Sequence, residues 1–237
     1  MNTISSHIFC LLDRFNTWVW RRGFDKSQPH GLVLMYHHVT DEDIEVDPCC
    51  KCKVAEFREQ LIRLKADGYT FVTMDAVSAS LKEFPNYKFA TVSFDDVPKD
   101  VLQNAVPILR NLQIPYTLFV TSKYARSTGY ISENQLKDLS KDPLCTIGAH
   151  TMTHPMLRKS KNSYDEMNQS KEYLESLIGK EVKYLAYPYG KYSSISFRVR
   201  QQAKQIGFKC AFGTIEAPIT NLSANSMFYL PRMVFEL

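Results

Sequence analysis

From residue 31 onward the chain alternates short apolar runs with segments whose apolar residues recur every three or four positions. GLVLMYHHV (31–39) is an apolar run that ends abruptly in histidines, which predicts a buried strand over 31–36 with polar side chains at its C-terminal end. VAEFREQLIRLKADGY has helical spacing and a stop at Gly68. TFVTMD and FATVSFDD read as two further strands, and DVLQNAVPILRNLQ as a helix with a kink or boundary at Pro107. PYTLFVT predicts a strand. SENQLKDLSKD predicts a helix capped by Ser132, with Gln135 at the capping-box position. LCTIGAH, VKYLAYP and KCAFGT read as strands. They are separated by the helical patterns SYDEMNQSKEYLESLIG, closed by Gly179, and SSISFRVRQQAKQIG.

Such alternation means repeated βα units around a mainly parallel sheet, either open or closed into a barrel. In this class, sites collect beyond the C-terminal ends of the strands. Here those ends carry YHH, FDD, AHTMTH and YPYG, so one site would gather all four clusters.

Composition sharpens this picture. With 237 residues, 44% hydrophobic and 12% aromatic, the chain can bury one large core, so a single catalytic domain is expected over 31–237 after an extension over 1–30. The net charge of +4 is spread along the chain, a pattern that argues against nucleic acid as partner. Six cysteines are too few for a disulfide scaffold, and CCKC (49–52) lacks the second pair a zinc ribbon requires. It reads as a loop of reduced thiols.

Near the N-terminus, Ile8, Leu11, Leu12, Phe15, Trp18 and Val19 form one apolar helical stripe with Arg14, Arg21 and Arg22 off it. The run is too short to span a bilayer and no signal-peptide cleavage pattern follows. The expectation is a cytoplasmic protein whose residues 6–22 either pack on their own domain or make peripheral contact with a membrane.

The clusters supply candidate chemistry. Asp95 and Asp96 sit where a strand turns, so one carboxylate can ligate a metal while the other stays free as a base. His150 and His154 of HTMTH, with one carboxylate, make a three-ligand set with open positions, a form that suits zinc. His37 and His38 offer a general acid.

SFDDVPKDVLQNAVPILRNLQIPYTLFV, IGAHTMTHPML and LAYPYGKY, in this order and spacing, resemble the polysaccharide deacetylases (the NodB-homology domain, carbohydrate esterase family four). The likeness runs from Gly31 to Met233. It implies a deformed (β/α) barrel and metal-dependent removal of acetyl groups from the N-acetylated sugars of a surface or capsular polysaccharide or its precursor. The divalent ion would be Zn2+ first, with Co2+, Ni2+ or Mn2+ as alternatives. By this likeness Asp95 is the catalytic base, and Asp96, His150 and His154 are the metal ligands. Tyr189 lends a backbone N–H to the oxyanion, and Pro188 shapes its loop.

The acid histidine usually lies near the C-terminus of such proteins, but FYLPRMVFEL contains none. Exopolysaccharide-type members carry it early, after a Tyr, which matches His37. Two positions depart from the family pattern. Val97 follows the Asp pair where Gly is common, and would narrow the site. Ala186 stands where an Arg commonly orients the base, a charge that Arg232 could supply from the C-terminal segment. A glycan O-acetyl esterase and an inactive glycan-binding protein of the same fold are the alternatives.

Overall fold

The computed structural model describes residues 13–15, 17–21 and 24–234. Ile8, Leu11, Leu12, Arg22 and Cys10 lie outside the described residues.

The apolar runs become strands of one parallel sheet: β1 (Gly31–Tyr36), β4 (Thr70–Phe71), β5 (Phe89–Asp95), β6 (Tyr116–Val120), β7 (Cys145–Ala149), β8 (Tyr184–Ala186) and β9 (Cys210–Phe212). Their order is β1-β5-β6-β7-β8-β9, with β4 beside the start of β5. A separate two-stranded ladder joins β2 (His38–Val39) to β3 (Lys51–Cys52). Helices α1 (Val54–Ala66), α2 (Met74–Ser80), α3 (Val106–Asn111), α4 (Glu133–Leu139), α5 (Ser163–Ile178) and α6 (Phe197–Ile206) fill the connections.

The sheet curls into a deformed barrel, and the segment after β9 bridges its two edges. The Leu230 N–H donates to Ala211 O at 2.9 Å, while the Met233 N–H donates to Val33 O at 3.0 Å. Leu230 thus lies beside β9 and Met233 beside β1, which carries Arg232, between them, to the barrel wall.

Both faces of the strands are covered, which is why they read as mainly apolar runs. All seven residues of β5 are buried. Ala90, Val92 and Phe94 pack outward with Leu34, Leu118 and the helix residues Phe57, Leu61 and Leu64. The other parity of the sheet faces the barrel interior, where Val33, Phe89, Phe119, Ala186, Phe212 and Leu230 form a second core. Gly148 leaves room for it: a Cβ there would stand 2.6 Å from the Phe119 ring.

Capping follows the sequence. Ser132 and Gln135 close a reciprocal box on α4, and Gly179 ends α5 with φ 67°. Pro107 sits in the first turn of α3, after a π-helical turn over Val101–Ala105, where its missing N–H is tolerated. TFVTMD departs from expectation. Only Thr70–Phe71 is strand, and the Thr73 hydroxyl accepts from the Ala76 N–H to open α2. Its β-branched and aromatic residues suggested a strand, but a local N-cap and the burial of Met74 and Val77 in the inner core decide for helix.

Candidate active site

Strand register brings the polar clusters together. Tyr36 pairs with Phe94, Asp95 with Phe119, and Val120 with Ala149, so β1, β5, β6 and β7 end at one level. The next residues, His37, Asp96, Thr121 and His150, therefore ring the mouth of the barrel.

Asp95 keeps the interior parity of Thr91 and Ser93 and is 2% exposed. Arg232, fully buried, grips it with both arms: Nη1 donates to Oδ1 at 2.6 Å and Nη2 to Oδ2 at 2.7 Å. The guanidinium is held in turn by its Nε bond to Gly213 O (3.2 Å) and lies over the Phe119 ring. Burial alone would raise the Asp95 carboxyl; the charge and hydrogen bonds of Arg232 outweigh it and hold the group well below the usual carboxylate range. Asp95 is thus an ionised, oriented carboxylate.

Beyond Asp95 the backbone turns through left-handed conformations at Asp96 and Val97, both with φ 60°. This is unusual for any non-glycine and most of all for a β-branched residue. Thr151, His154 and Tyr189 adopt it too, so among the described residues most of the left-handed non-glycine positions lie on the loops of this site. The turn separates the two carboxylates. Asp96 leaves the barrel interior, and its Oδ1 accepts from the Thr121 hydroxyl at 2.6 Å. The Val97 side chain does not line the site; it packs in the outer core.

His150 is buried, and its Nδ1 lies 2.8 Å from the carbonyl oxygen of Ala186. A carbonyl only accepts, so Nδ1 carries the proton and the Nε2 lone pair faces the site. Burial lowers the His150 pKa, which favours this neutral, ligating form. The TMTH turn is tied to α5 by Glu166, which accepts from the Thr153 N–H and hydroxyl. The His154 N–H donates to the Thr151 hydroxyl at 3.1 Å. The His154 ring then lies near the rings of both Tyr124 and Tyr189, with centroids 6.4 and 4.9 Å away.

Asp96, His150 and His154 thus present ligand atoms within 4.8 Å of one another, with His154 Nε2 3.9 Å from Asp96 Oδ2. Two imidazoles and a carboxylate, with a backbone carbonyl fixing one tautomer and a hydroxyl fixing the carboxylate, match the donor set and outer support of a divalent-metal centre.

The remaining sequence candidates fall around this set. His37 follows β1, and Asp95, Asp96, His150 and Arg232 all act on it electrostatically. Burial lowers its pKa, and its Nδ1 is buried without a hydrogen-bond partner. His38 turns away to Asp100, with Nδ1 2.6 Å from Oδ2. Pro188 is buried and Tyr189 half exposed. Their loop is pinned by Thr214, whose hydroxyl donates to Tyr189 O and whose N–H donates to Gly190 O. Gly190 has φ 60°, and a Cβ there would stand 2.4 Å from Thr214 N. Thr121 and Tyr124 carry no motif, and Ala186 lies in one but gave no sign that its carbonyl would hold His150. The signal that could have found Thr121 is its place directly after β6, at the same level as the other clusters.

Comparison with known proteins agrees with this fold. The polysaccharide deacetylase family pattern matches residues 82–211. Over 205 residues the chain is 29% identical to the poly-beta-1,6-N-acetyl-D-glucosamine N-deacetylase of Staphylococcus aureus, covering 76% of this chain and 66% of that protein. Among solved structures, the Streptococcus pyogenes deacetylase PplD in complex with acetate superposes with a TM-score of 0.78 at 25% identity, over 88% of this chain and 93% of that one. IcaB from Ammonifex degensii shares the fold, with a TM-score of 0.76 at 21% identity over 88% and 92% of the two chains. The chain belongs to the polysaccharide deacetylase family.

Proposed function

We propose that this protein is a metal-dependent deacetylase that hydrolyses the acetamido groups of an N-acetylated glycan, of the poly-N-acetylglucosamine type, to acetate and free amino sugars. The observation that carries the reading is the juxtaposition of Asp96, His150 and His154 with an Asp95 carboxylate locked by Arg232. The names of the Staphylococcus aureus relative and of the acetate-bound Streptococcus structure support the substrate class and the product.

Asp96, His150 and His154 would hold the ion, with Zn2+ best matching two imidazoles and a carboxylate. When bound, it supplies Lewis acidity toward the acyl oxygen and a water that deprotonates near neutral pH. The chain's own groups do the rest. Asp95, held ionised, would orient the attacking water and take up its proton at a carboxylate oxygen. The Tyr189 N–H, on a loop fixed by Thr214, faces the negative charge that develops on the acyl oxygen. His37, lying among these charges, delivers a proton to the departing nitrogen so that the C–N bond breaks to a neutral amine.

The test is acetate release from oligomers of N-acetylglucosamine by protein loaded with Zn2+, Co2+, Ni2+ or Mn2+, against chelated protein. Metal-dependent release, with loss of acetyl mass from the oligomer, is the expected result. Release from O-acetylated but not N-acetylated glycans would reassign the enzyme as an esterase, and no release from either would overturn the reading.

A further inference from the structure

Beside the catalytic centre, on the side of His37, lies a cavity of about 610 Å³ whose walls include His38, Cys49, Cys50, Lys51 and Gln60. The five cysteines among the described residues are free, and two of them meet here: Cys49 Sγ lies 3.9 Å from Cys50 Sγ. Cys49 is exposed and Cys50 half-buried.

The spacing suits one kind of partner better than another. Adjacent Cα atoms across a trans peptide are about 3.8 Å apart, below the ~4.4 Å lower limit of ordinary disulfides, so an S–S bond here would strain the loop. Two sulfurs bridged by one trivalent arsenic sit somewhat closer together than the 3.9 Å seen here, a difference that rotation of the two side chains closes. Cys52 does not complete a larger set, because its sulfur turns to Lys53 O and Gln60 Oε1. Two sulfurs fall short of a closed four-ligand zinc site but satisfy a ligand that asks for two thiols.

We propose that Cys49 and Cys50 form a capture site for trivalent organoarsenicals, and that its occupation inhibits the enzyme from the side of His37. The inhibition rests on the deacetylase reading above, in which His37 supplies the proton; the binding does not.

The chemistry balances without an oxidant. An arsenoxide, R–As=O, condenses with the two S–H groups. Two As–S bonds form, the As=O bond breaks, and its oxygen leaves as water with both thiol protons. Arsenic stays trivalent and neither sulfur is oxidised. Partial desolvation, the neighbouring Asp47 carboxylate and Cys50 together push the Cys49 thiol up to about 12, and partial burial raises Cys50 as well. The thiols are therefore protonated and slow toward single-site alkylation, which needs the thiolate, while the condensation takes them as they stand.

Coupling to the site follows from the fold. Cys50 leads directly into β3, which pairs with β2 in the register His38–Lys51 and Val39–Cys52, and β2 begins one residue after His37. Asp95 and Asp96 lie near enough for their charges to act on Cys50. A phenylarsenic group bridging the two sulfurs would fill the cavity next to His37 and fix the loop that backs it.

Phenylarsine oxide is the probe, read by intact mass, peptide mapping and acetate release. One adduct is expected at one equivalent, lost in Cys49→Ser and Cys50→Ser and kept in Cys52→Ser. Acetate release should fall at least tenfold with the adduct and return with excess 2,3-dimercaptopropanol, while Cys50→Ser keeps its basal rate and ignores the reagent. An adduct that persists in both serine variants would overturn the site, and an adduct at the pair that leaves the rate unchanged would overturn the inhibition. If unmodified protein releases no acetate at all, the deacetylase reading fails while adduct mapping still decides the thiol site.

Discussion

Replacing Arg232 by Met keeps much of the side-chain volume and removes the charge that faces Asp95. In the native protein a fully buried guanidinium makes two charge-assisted bonds of 2.6 and 2.7 Å to a carboxylate that is itself 2% exposed. Breaking such a pair from one side leaves an uncompensated buried charge, a loss of about 3–5 kcal/mol. The sign with pH follows from the carboxylate. In the native protein its folded pKa is depressed, so its stabilisation is present above the unfolded value and fades only as pH falls through the lower folded one. Without Arg232, burial becomes the leading influence and the folded pKa moves above the unfolded value. Stability then declines as pH rises through the carboxylate range, by up to about 1.4 kcal/mol per pH unit. Urea unfolding of chelated protein at pH 5 and pH 7.5 should show Arg232→Met losing more, relative to the native chain, at the higher pH. Asp95→Asn added to Arg232→Met should recover part of the loss, because the orphaned charge is gone. A destabilisation below about 1 kcal/mol, or one equal at both pH values and simply additive with Asp95→Asn, would refute the reasoning.

Thr121→Val is nearly isosteric and removes the 2.6 Å hydrogen bond that orients Asp96; divalent-metal affinity should drop about 10–100-fold in a chelator competition while the fold stays intact. Val97→Gly relieves a left-handed φ costing about 1–2 kcal/mol but gives up a buried valine worth about 1.5–3 kcal/mol and adds backbone freedom to the unfolded chain. A net loss of about 1–2 kcal/mol in urea, with acetate release retained, is expected. On the described part of the N-terminal helix, Phe15, Trp18 and Val19 stand exposed beside Arg14 and Arg21. If this face meets an anionic lipid surface, Trp18→Glu should sharply reduce co-sedimentation with phosphatidylglycerol vesicles, and equal binding by both proteins would argue against the contact.

The parts of this protein legible in its sequence are those fixed by short-range rules. Strand runs, the Ser132–Gln135 box and the Gly179 stop each need only a few neighbouring residues, and apart from TFVTMD the structure contains them. The end-of-strand rule then placed YHH, FDD, HTMTH and YPYG on one rim, because parallel register aligns the strand ends whatever the loops between them do. TFVTMD was misread because strand propensity was weighed without the Thr73 cap, which acts three residues downstream.

What local patterns could not deliver is long-range pairing. Arg232 stands 137 residues from the carboxylate it grips; the family likeness, which leaves Ala186 where an Arg is common, pointed to it, but nothing in PRMV itself marks it as interior. It reaches Asp95 because Leu230 and Met233 pair with two strands from opposite ends of the chain. A substitution such as Leu230→Pro, which removes the N–H that donates to Ala211 O, would therefore unseat the arginine without touching it. Asp95 would lose its partner through the backbone alone, and the same pH signature expected of Arg232→Met should appear in a protein whose Arg232 is intact.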